Sequence, residues 1–140
     1  MREYVNGVIT VNEARSFCRT VGYLDFSDIR LAGILGYIQG FAGVSLSVPS
    51  YVRVEDRRQG HPWHTDRGNK GHMGWCDYSG TILLTDPKTF DGGGLYFSGD
   101  EEPSFHYRDL VFYDSDVSNR HFVASNSGGR KALIMFFASK

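Results

Sequence analysis

The sequence predicts a mainly β fold, an antiparallel jelly roll with helices confined to its first third. Short apolar stretches separated by turn residues follow one another from residue 44 onwards, with no helical pattern between them. Because parallel strands need long crossover connections, strands this closely spaced are expected to pair antiparallel in a sandwich or barrel. Seventeen glycines and 14% aromatic residues suit tight turns and a core filled between two sheets.

The helical third contains two predicted helices. Thr10 and Glu13 have the spacing of a capping box, and apolar residues then recur at helical spacing, which predicts a helix over residues 11–21. A second start signal lies at residues 25–28. The apolar pattern that follows closes at Gly40 and predicts a helix of about three turns.

The strands are predicted from alternation of apolar and polar residues. The first alternating stretch begins with Val44 and is expected to break at Pro49 and resume at Tyr51. The charged run at residues 55–58 is expected to be a solvated loop. The later predicted strands cover residues 81–84, 95–97, 110–113, 121–124 and 132–137.

Size and charge restrict the class of protein. A chain of 140 residues can bury one hydrophobic core, so we predict a single domain over residues 1–140, with helical support at 1–43 and the β core at 44–140. A net charge of −1 gives no global attraction to nucleic acid or to an anionic membrane. With no apolar stretch of membrane-spanning length, we expect a cytoplasmic protein without a membrane or nucleic-acid partner, and Cys18 and Cys76 as free thiols.

Three side chains have the types and spacing of a metal site. His64 and Asp66 are two residues apart, so on an extended strand both project to one face. His121 begins another apolar strand that a barrel can bring opposite this pair. Two imidazoles and one carboxylate on one face of an octahedral ion leave three positions open, as in non-haem Fe(II) oxygenases.

Arg130 is a candidate anchor for a carboxylate. It follows Gly128 and Gly129, which allow a tight turn, and it directly precedes the last predicted strand. A guanidinium fork grips a carboxylate with two hydrogen bonds, which a lysine does not. A dicarboxylate can therefore bridge Arg130 and the metal.

Four motifs in a fixed order give a resemblance to a known family. They are His-Thr-Asp at 64–66, Gly-Gly-Gly-Leu-Tyr-Phe at 92–97, His-Phe-Val at 121–123 and Gly-Gly-Arg at 128–130. In this order the sequence resembles the 2-oxoglutarate- and Fe(II)-dependent oxygenases, most closely the prolyl 4-hydroxylase-like branch. The resemblance implies a cupin-like double-stranded β-helix with the two N-terminal helices packed against one sheet.

The resemblance also implies a reaction. His64, Asp66 and His121 would hold Fe(II), and Arg130 would bind 2-oxoglutarate, which is converted with O2 to succinate and CO2 while a substrate C–H bond is hydroxylated. Ascorbate would keep the iron reduced. The implied substrate is a prolyl residue in a peptide or protein, and the substrate-binding candidates are Trp75 and Tyr96.

The sequence departs from the family at one position of the co-substrate site. Relatives often carry a tyrosine in the strand before the glycine motif, where it hydrogen-bonds the tail of 2-oxoglutarate, and Leu84 takes that place here. The candidates for the missing hydroxyl are Tyr78 and Thr81, with Tyr51 a further one. The last strand also lacks the second arginine usual in nucleic-acid demethylases, which argues against base repair.

Other functions stay open at this point. The substrate can instead be a free amino acid or another small molecule, and the chain can be a cupin-like module that binds a metal or ligand without turnover. A zinc hydrolase is a third alternative, in which His61 and His72 join His64 as ligands. Otherwise we expect His61, His72 and His106 to be surface residues.

Overall fold

In the computed structural model, which describes residues 1–41, 46–67 and 73–139, nine strands form two antiparallel sheets. Two α-helices lie before the third strand: α1 (Val11–Cys18) and α2 (Ala32–Gln39). The strands are β1 (Arg2–Val5), β2 (Gly22–Tyr23), β3 (Leu46–Asp56), β4 (His61–His64), β5 (Tyr78–Leu83), β6 (Leu95–Phe97), β7 (Leu110–Asp114), β8 (His121–Val123) and β9 (Lys131–Ser139).

The prediction of a mainly β, antiparallel fold is confirmed. The larger sheet has the order β1-β7-β5-β9-β3-β2, and the smaller sheet has the order β4-β8-β6. Every pairing between named strands is antiparallel. Strands β1 and β2, four and two residues long, were not predicted from the sequence. The extended strand expected to carry both His64 and Asp66 is β4, which ends at His64.

The first helix begins where the sequence places it. Thr10 accepts a hydrogen bond from the Glu13 backbone N–H, and the Glu13 side chain accepts one from the Thr10 backbone, so the capping box is complete. The helix ends at Cys18, three residues before the predicted end. Val21 is exposed and gains nothing from a further helical turn, and the chain then enters β2 at Gly22.

The second predicted helix has two parts. A 3-10 turn (Ile29–Leu31) capped by the Asp28 side chain leads directly into α2, and Gly40 ends it as predicted. The predicted break at Pro49 is wrong, because β3 continues through it. Pro49 lacks a backbone N–H, and the pairing with β9 shifts register on each side of it instead of ending. Val44 lies outside the described residues.

Alternation along the strands of the larger sheet divides the core in two. Leu110 and Phe112 of β7 face the helices, where they join a cluster with residues of α1, α2, β3, β5 and β9. Val111 and Tyr113 face the smaller sheet and pack with Leu95, Phe97 and Val123. The helices therefore cover one face of the larger sheet, and the smaller sheet covers part of the other.

Two further expectations concern the chain as a whole. Cys18 and Cys76 are free cysteines, as predicted. Within the described residues, no helix is both long and apolar enough to cross a bilayer.

Candidate metal and carboxylate site

The three predicted metal ligands meet between the two sheets. His64 is the last residue of β4 and lies directly opposite His121, the first residue of β8. The centroids of their rings are 4.3 Å apart. Asp66 lies two residues beyond the end of β4 and not on the strand itself. A backbone hydrogen bond of 3.0 Å from the Arg67 N–H to the Ser115 carbonyl oxygen fixes this turn to the larger sheet.

One oxygen of the aspartate faces both imidazoles. Asp66 Oδ1 lies 3.3 Å from His64 Nε2 and 3.5 Å from His121 Nε2. One ligand atom from each of the three residues lies within 4.8 Å of the others. Among the described residues, this is the one group of three histidine, cysteine or acidic side chains with the geometry to hold a metal ion.

Both imidazoles are oriented by backbone carbonyls. His64 Nδ1 donates to the Pro62 carbonyl oxygen over 2.7 Å, and His121 Nδ1 donates to the Asn119 carbonyl oxygen over 2.9 Å. Because a carbonyl oxygen can only accept, Nδ1 carries the hydrogen in each ring. In its neutral form each ring therefore presents the Nε2 lone pair to the centre of the cluster, the tautomer that a metal needs.

The charges of the cluster suit a divalent cation. Burial raises the pKa of the Asp66 carboxyl, but hydrogen bonding to His64, the charge of His121 and hydrogen bonding to Ser79 and Tyr113 together outweigh burial, so the pKa lies below its usual value. Hydrogen bonding to Asp66 raises the pKa of His64, whereas burial lowers the pKa of His121. Two nitrogen donors and one ionised carboxylate are the set associated with non-haem Fe(II).

The zinc alternative has less support in the described residues. His61 Nε2 contacts the Glu55 carboxylate at 2.6 Å. His72, its predicted partner, lies outside the described residues. The His61 ring lies 5.6 Å from the His64 ring between centroids, but its Nε2 is engaged with Glu55, and His61 is not part of the group of ligand atoms formed by His64, Asp66 and His121.

Arg130 is a buried cation with few protein contacts. It is 6% exposed, and its Nε donates to the Gly93 carbonyl oxygen over 2.7 Å. No described residue accepts a hydrogen bond from its terminal nitrogens, Nη1 and Nη2. Burial lowers the pKa of Arg130, and the negative charge of Glu55 opposes that shift. A buried guanidinium with two free donor groups is a site for a carboxylate, since an unpaired buried charge is costly.

The metal cluster and Arg130 line the same cavity. Apolar side chains of both sheets form part of its wall beside the charged groups. Thr81 of β5, one of the predicted co-substrate residues, also lines it and is 7% exposed. The apolar lining residues are Leu95, Val123, Ile134 and Phe136.

The structure does not bring the other predicted site residues to this cavity. Tyr78 lies on the opposite face of β5 from Thr81 and packs against the helix-side core, with its ring stacked on Phe112 at 5.5 Å. Leu84 is buried in the same core. Trp75 is 41% exposed and does not line the cavity. Tyr96 lies on the outer face of the smaller sheet, stacked on Phe122 at 4.6 Å.

A charged wall of the cavity was not predicted from the sequence. The charged run was expected to be solvated, but Glu55 is only 8% exposed because β3 extends to Asp56. Glu55 pairs with Arg53 and with His61, and all three line the cavity. His61, expected on the surface, is partly buried in the cavity wall, with 24% of its side chain exposed. The sequence contains a signal for this wall: Arg53 and Glu55 alternate with Val52 and Val54, which indicates a strand that continues through Glu55.

Tyr113 was predicted only as part of a strand. Its hydroxyl donates to Asp66 Oδ2 over 2.8 Å, and it lines the cavity. His106 was expected on the surface, yet its Nε2 is buried and has no hydrogen-bond partner among the described residues. Burial, with the charge of Arg130 adding to it, lowers the pKa of His106 to about 3.

Comparison with solved structures shows the class of fold. A Pseudomonas putida prolyl-4-hydroxylase superposes with a TM-score of 0.75 at 14% identity, over 99% of this chain and 92% of that chain. The viral collagen prolyl hydroxylase of Paramecium Bursaria Chlorella virus-1, in its 2-oxoglutarate complex, gives a TM-score of 0.68 at 12% identity, over 99% of this chain and 94% of that chain.

A third similar structure contains a peptide. The prolyl hydroxylase from Trichoplax adhaerens, in complex with a peptide fragment of the hypoxia inducible factor oxygen degradation domain, gives a TM-score of 0.63 at 14% identity, over 98% of this chain and 83% of that chain. No protein-family model matches the sequence, and a search of curated proteins finds no match. The fold of this chain is therefore similar to that of solved prolyl hydroxylases, as the resemblance in the sequence motifs implies.

Proposed function

We propose that this chain is an Fe(II)- and 2-oxoglutarate-dependent hydroxylase built on a double-stranded β-helix. The observation that carries the proposal is one cavity lined both by the cluster of His64, Asp66 and His121 and by the unpaired guanidinium of Arg130. A metal cluster alone, or a buried arginine alone, also occurs in proteins of unrelated function. Together they match the two halves of a co-substrate that chelates a metal at one end and carries a carboxylate at the other.

Each residue has a defined part in this proposal. The two imidazoles and the Asp66 carboxylate hold Fe(II), and Arg130 binds the far carboxylate of 2-oxoglutarate through Nη1 and Nη2, with the Thr81 hydroxyl a further donor. Apolar side chains in the cavity wall strengthen these charged contacts. When bound, iron with 2-oxoglutarate and O2 supplies the oxidation, in which one oxygen atom enters succinate and the other enters the substrate C–H bond while CO2 is released.

A prolyl residue in a peptide or protein is the proposed substrate. Support comes from the prolyl hydroxylases of similar fold, one of which is in complex with a peptide. A charged small molecule such as a free amino acid is the second candidate. The observation in its favour is that Arg53 and Glu55, of opposite charge, line the same cavity.

The test is succinate formation from 2-oxoglutarate by anaerobically purified protein given Fe(II), ascorbate and O2. We expect succinate from the wild type, and none above background from His64→Ala or Arg130→Ala. Arg15→Ala is the matched control, because it removes an arginine from the exposed surface of α1. Stimulation by proline-containing peptides favours the first substrate, and stimulation by free amino acids favours the second.

Two results would contradict the proposal. One is the absence of succinate together with no binding of 2-oxoglutarate to the metal-loaded protein, which favours the non-catalytic binding module. The other is tightly held zinc with hydrolytic activity, which favours the zinc hydrolase.

A further inference from the structure

The two oxygens of Asp66 have different partners. Oδ1 faces His64 Nε2 and His121 Nε2 at 3.3 and 3.5 Å. Oδ2 accepts a hydrogen bond of 2.8 Å from the Tyr113 hydroxyl. Because a carboxylate can only accept, the phenol must be the donor, and its hydrogen is directed at Oδ2. One oxygen is thus turned to the metal cluster and the other is turned away from it.

Tyr113 is held more firmly than Asp66. It lies within β7, between β1 and β5 in the larger sheet, and it is 4% exposed. Its ring makes edge contacts with Phe97 at 5.1 Å and with His121 at 5.4 Å between ring centroids. Asp66 lies beyond the end of β4 and outside any strand ladder. The fixed partner in this hydrogen bond is therefore the tyrosine.

We propose that Tyr113 is a positioning residue that holds Asp66 as a ligand through one oxygen. If Oδ2 were free, the carboxylate could rotate and offer both oxygens to the metal. A second carboxylate oxygen would occupy a coordination position that 2-oxoglutarate or O2 requires. This inference rests on the proposed metal site and assigns the residue that keeps part of that site open. Hydrogen-bond partners of metal ligands commonly contribute 10- to 100-fold to metal affinity.

The first test is Co(II) binding by the whole chain, followed by visible absorption and calorimetry, in the wild type and in Tyr113→Phe. The substitution removes one oxygen and keeps the ring contacts with Phe97 and His121. We expect the Kd for Co(II) to rise roughly 10- to 100-fold and the Co(II) absorption spectrum to change, as the carboxylate changes its mode of binding. At saturating metal, the Kd for 2-oxoglutarate should also rise although Arg130 is untouched, because the second carboxylate oxygen takes a position that the metal-binding end of 2-oxoglutarate requires.

Tyr4→Phe is the matched control. Tyr4 belongs to β1 of the same sheet, is paired with Val111, and is 53% exposed. Its loss should leave Co(II) affinity and the spectrum unchanged. Wild-type affinity and spectrum in Tyr113→Phe would overturn the inference, while absence of Co(II) binding by the wild type would overturn the proposed metal site together with it.

A double-mutant cycle tests whether Tyr113 acts through Asp66 or independently of it. If Tyr113 acts through Asp66, then adding Tyr113→Phe to Asp66→Ala should not lower the residual Co(II) affinity further, because the hydroxyl has already lost its partner. A second, additive loss of Co(II) affinity in the double variant would show that Tyr113 acts independently of Asp66, and the inference would then be wrong.

Discussion

Arg130 donates its Nε hydrogen to the carbonyl oxygen of Gly93 over 2.7 Å, and the two residues are in close contact along the side chain as well. Gly93 has a φ of +76°, and a Cβ atom at this position would lie 2.6 Å from Arg130 Cδ. The glycine motif therefore has a direct relation to the carboxylate site. Gly93, the second glycine of the motif, gives the guanidinium a hydrogen-bond acceptor, and its lack of a side chain leaves space for Arg130 beside its backbone.

Gly93→Ala should weaken binding of 2-oxoglutarate. The added methyl group displaces the Arg130 side chain, and we expect the Kd for 2-oxoglutarate to rise roughly 10-fold or more, since the paired hydrogen bonds of a guanidinium depend on its orientation. Calorimetry on the Mn(II)-loaded protein without O2 measures the Kd for 2-oxoglutarate.

Gly7→Ala is the control for Gly93→Ala. Gly7 also has a positive φ, +64°, but no atom lies within 4 Å of an added Cβ. Both variants carry the cost of a left-handed alanine, about 1 kcal/mol of stability. Only Gly93→Ala moves Arg130. Equal affinity for 2-oxoglutarate in the two variants would contradict the assigned role of Gly93.

Arg130→Lys should bind 2-oxoglutarate more weakly than the wild type although it keeps the positive charge. A lysine lacks the Nε–H that bonds to Gly93 and the planar fork that bonds both carboxylate oxygens. We expect the KM for 2-oxoglutarate in succinate formation to rise about 10-fold in Arg130→Lys. The loss of succinate formation should be larger in Arg130→Ala. Wild-type KM in Arg130→Lys would mean that Arg130 serves only as a point charge.

His106 should make the protein less stable at mildly acidic pH. Burial and then the charge of Arg130 lower its pKa to about 3 in the folded protein, against about 6.5 for an ordinary histidine. Below pH 6.5 the unfolded chain takes up a proton that the folded protein does not accept until about pH 3. The free energy of unfolding must therefore fall as the pH decreases through this window.

His106→Gln removes that dependence, since glutamine does not titrate. Between pH 7 and pH 5, the free energy of unfolding, measured with urea, should fall by up to about 2 kcal/mol more in the wild type than in the variant. The other titrating groups are common to both proteins and cancel in the difference. The same pH dependence in both proteins would show that His106 titrates normally.

Local features of the structure could be predicted because their causes lie within a few residues. The capping box of Thr10 and Glu13 depends on a spacing of three residues. The motifs around His64 and His121 predicted residues that the structure brings to ring contact, since each motif lies at the end of a short strand. The capping box needed no knowledge of how the sheets pack, whereas the pairing of His64 with His121 was predicted from an assumed barrel and from the order of the motifs.

For the site residues that the sequence did not identify, the contacts depend on which face of a strand points into the cavity. Thr81 lines the cavity and Tyr78 does not, because they are an odd number of residues apart on β5. The predicted strand began at residue 81, so the alternation between Tyr78 and Thr81 could not be assigned beforehand. Tyr113 contacts Asp66 only because β7 and the turn after β4 come together in space, 47 residues apart in the chain.

Gly60 lies at one end of the pairing between β4 and β8, and the histidines of the metal cluster lie at the other end. It directly precedes β4 with a φ of +69°, and a Cβ there would lie 2.2 Å from the Val123 carbonyl oxygen and 2.8 Å from the Ala124 carbonyl. These are backbone atoms at the end of β8, which cannot rotate away as a side chain would. The strands β4 and β8 carry His64 and His121 as a cross-strand pair.

Gly60→Ala should therefore destabilise the fold and weaken the metal site together. The left-handed alanine costs about 1 kcal/mol, as in Gly7→Ala, and forcing β4 away from β8 should add about 1–3 kcal/mol. Thermal unfolding of the metal-free variants measures this difference, and Co(II) titration of the folded protein should show a weaker site in Gly60→Ala alone. If the two alanine variants unfold at the same temperature, β4 and β8 tolerate separation at Gly60, and the metal cluster does not depend on their close approach at this point.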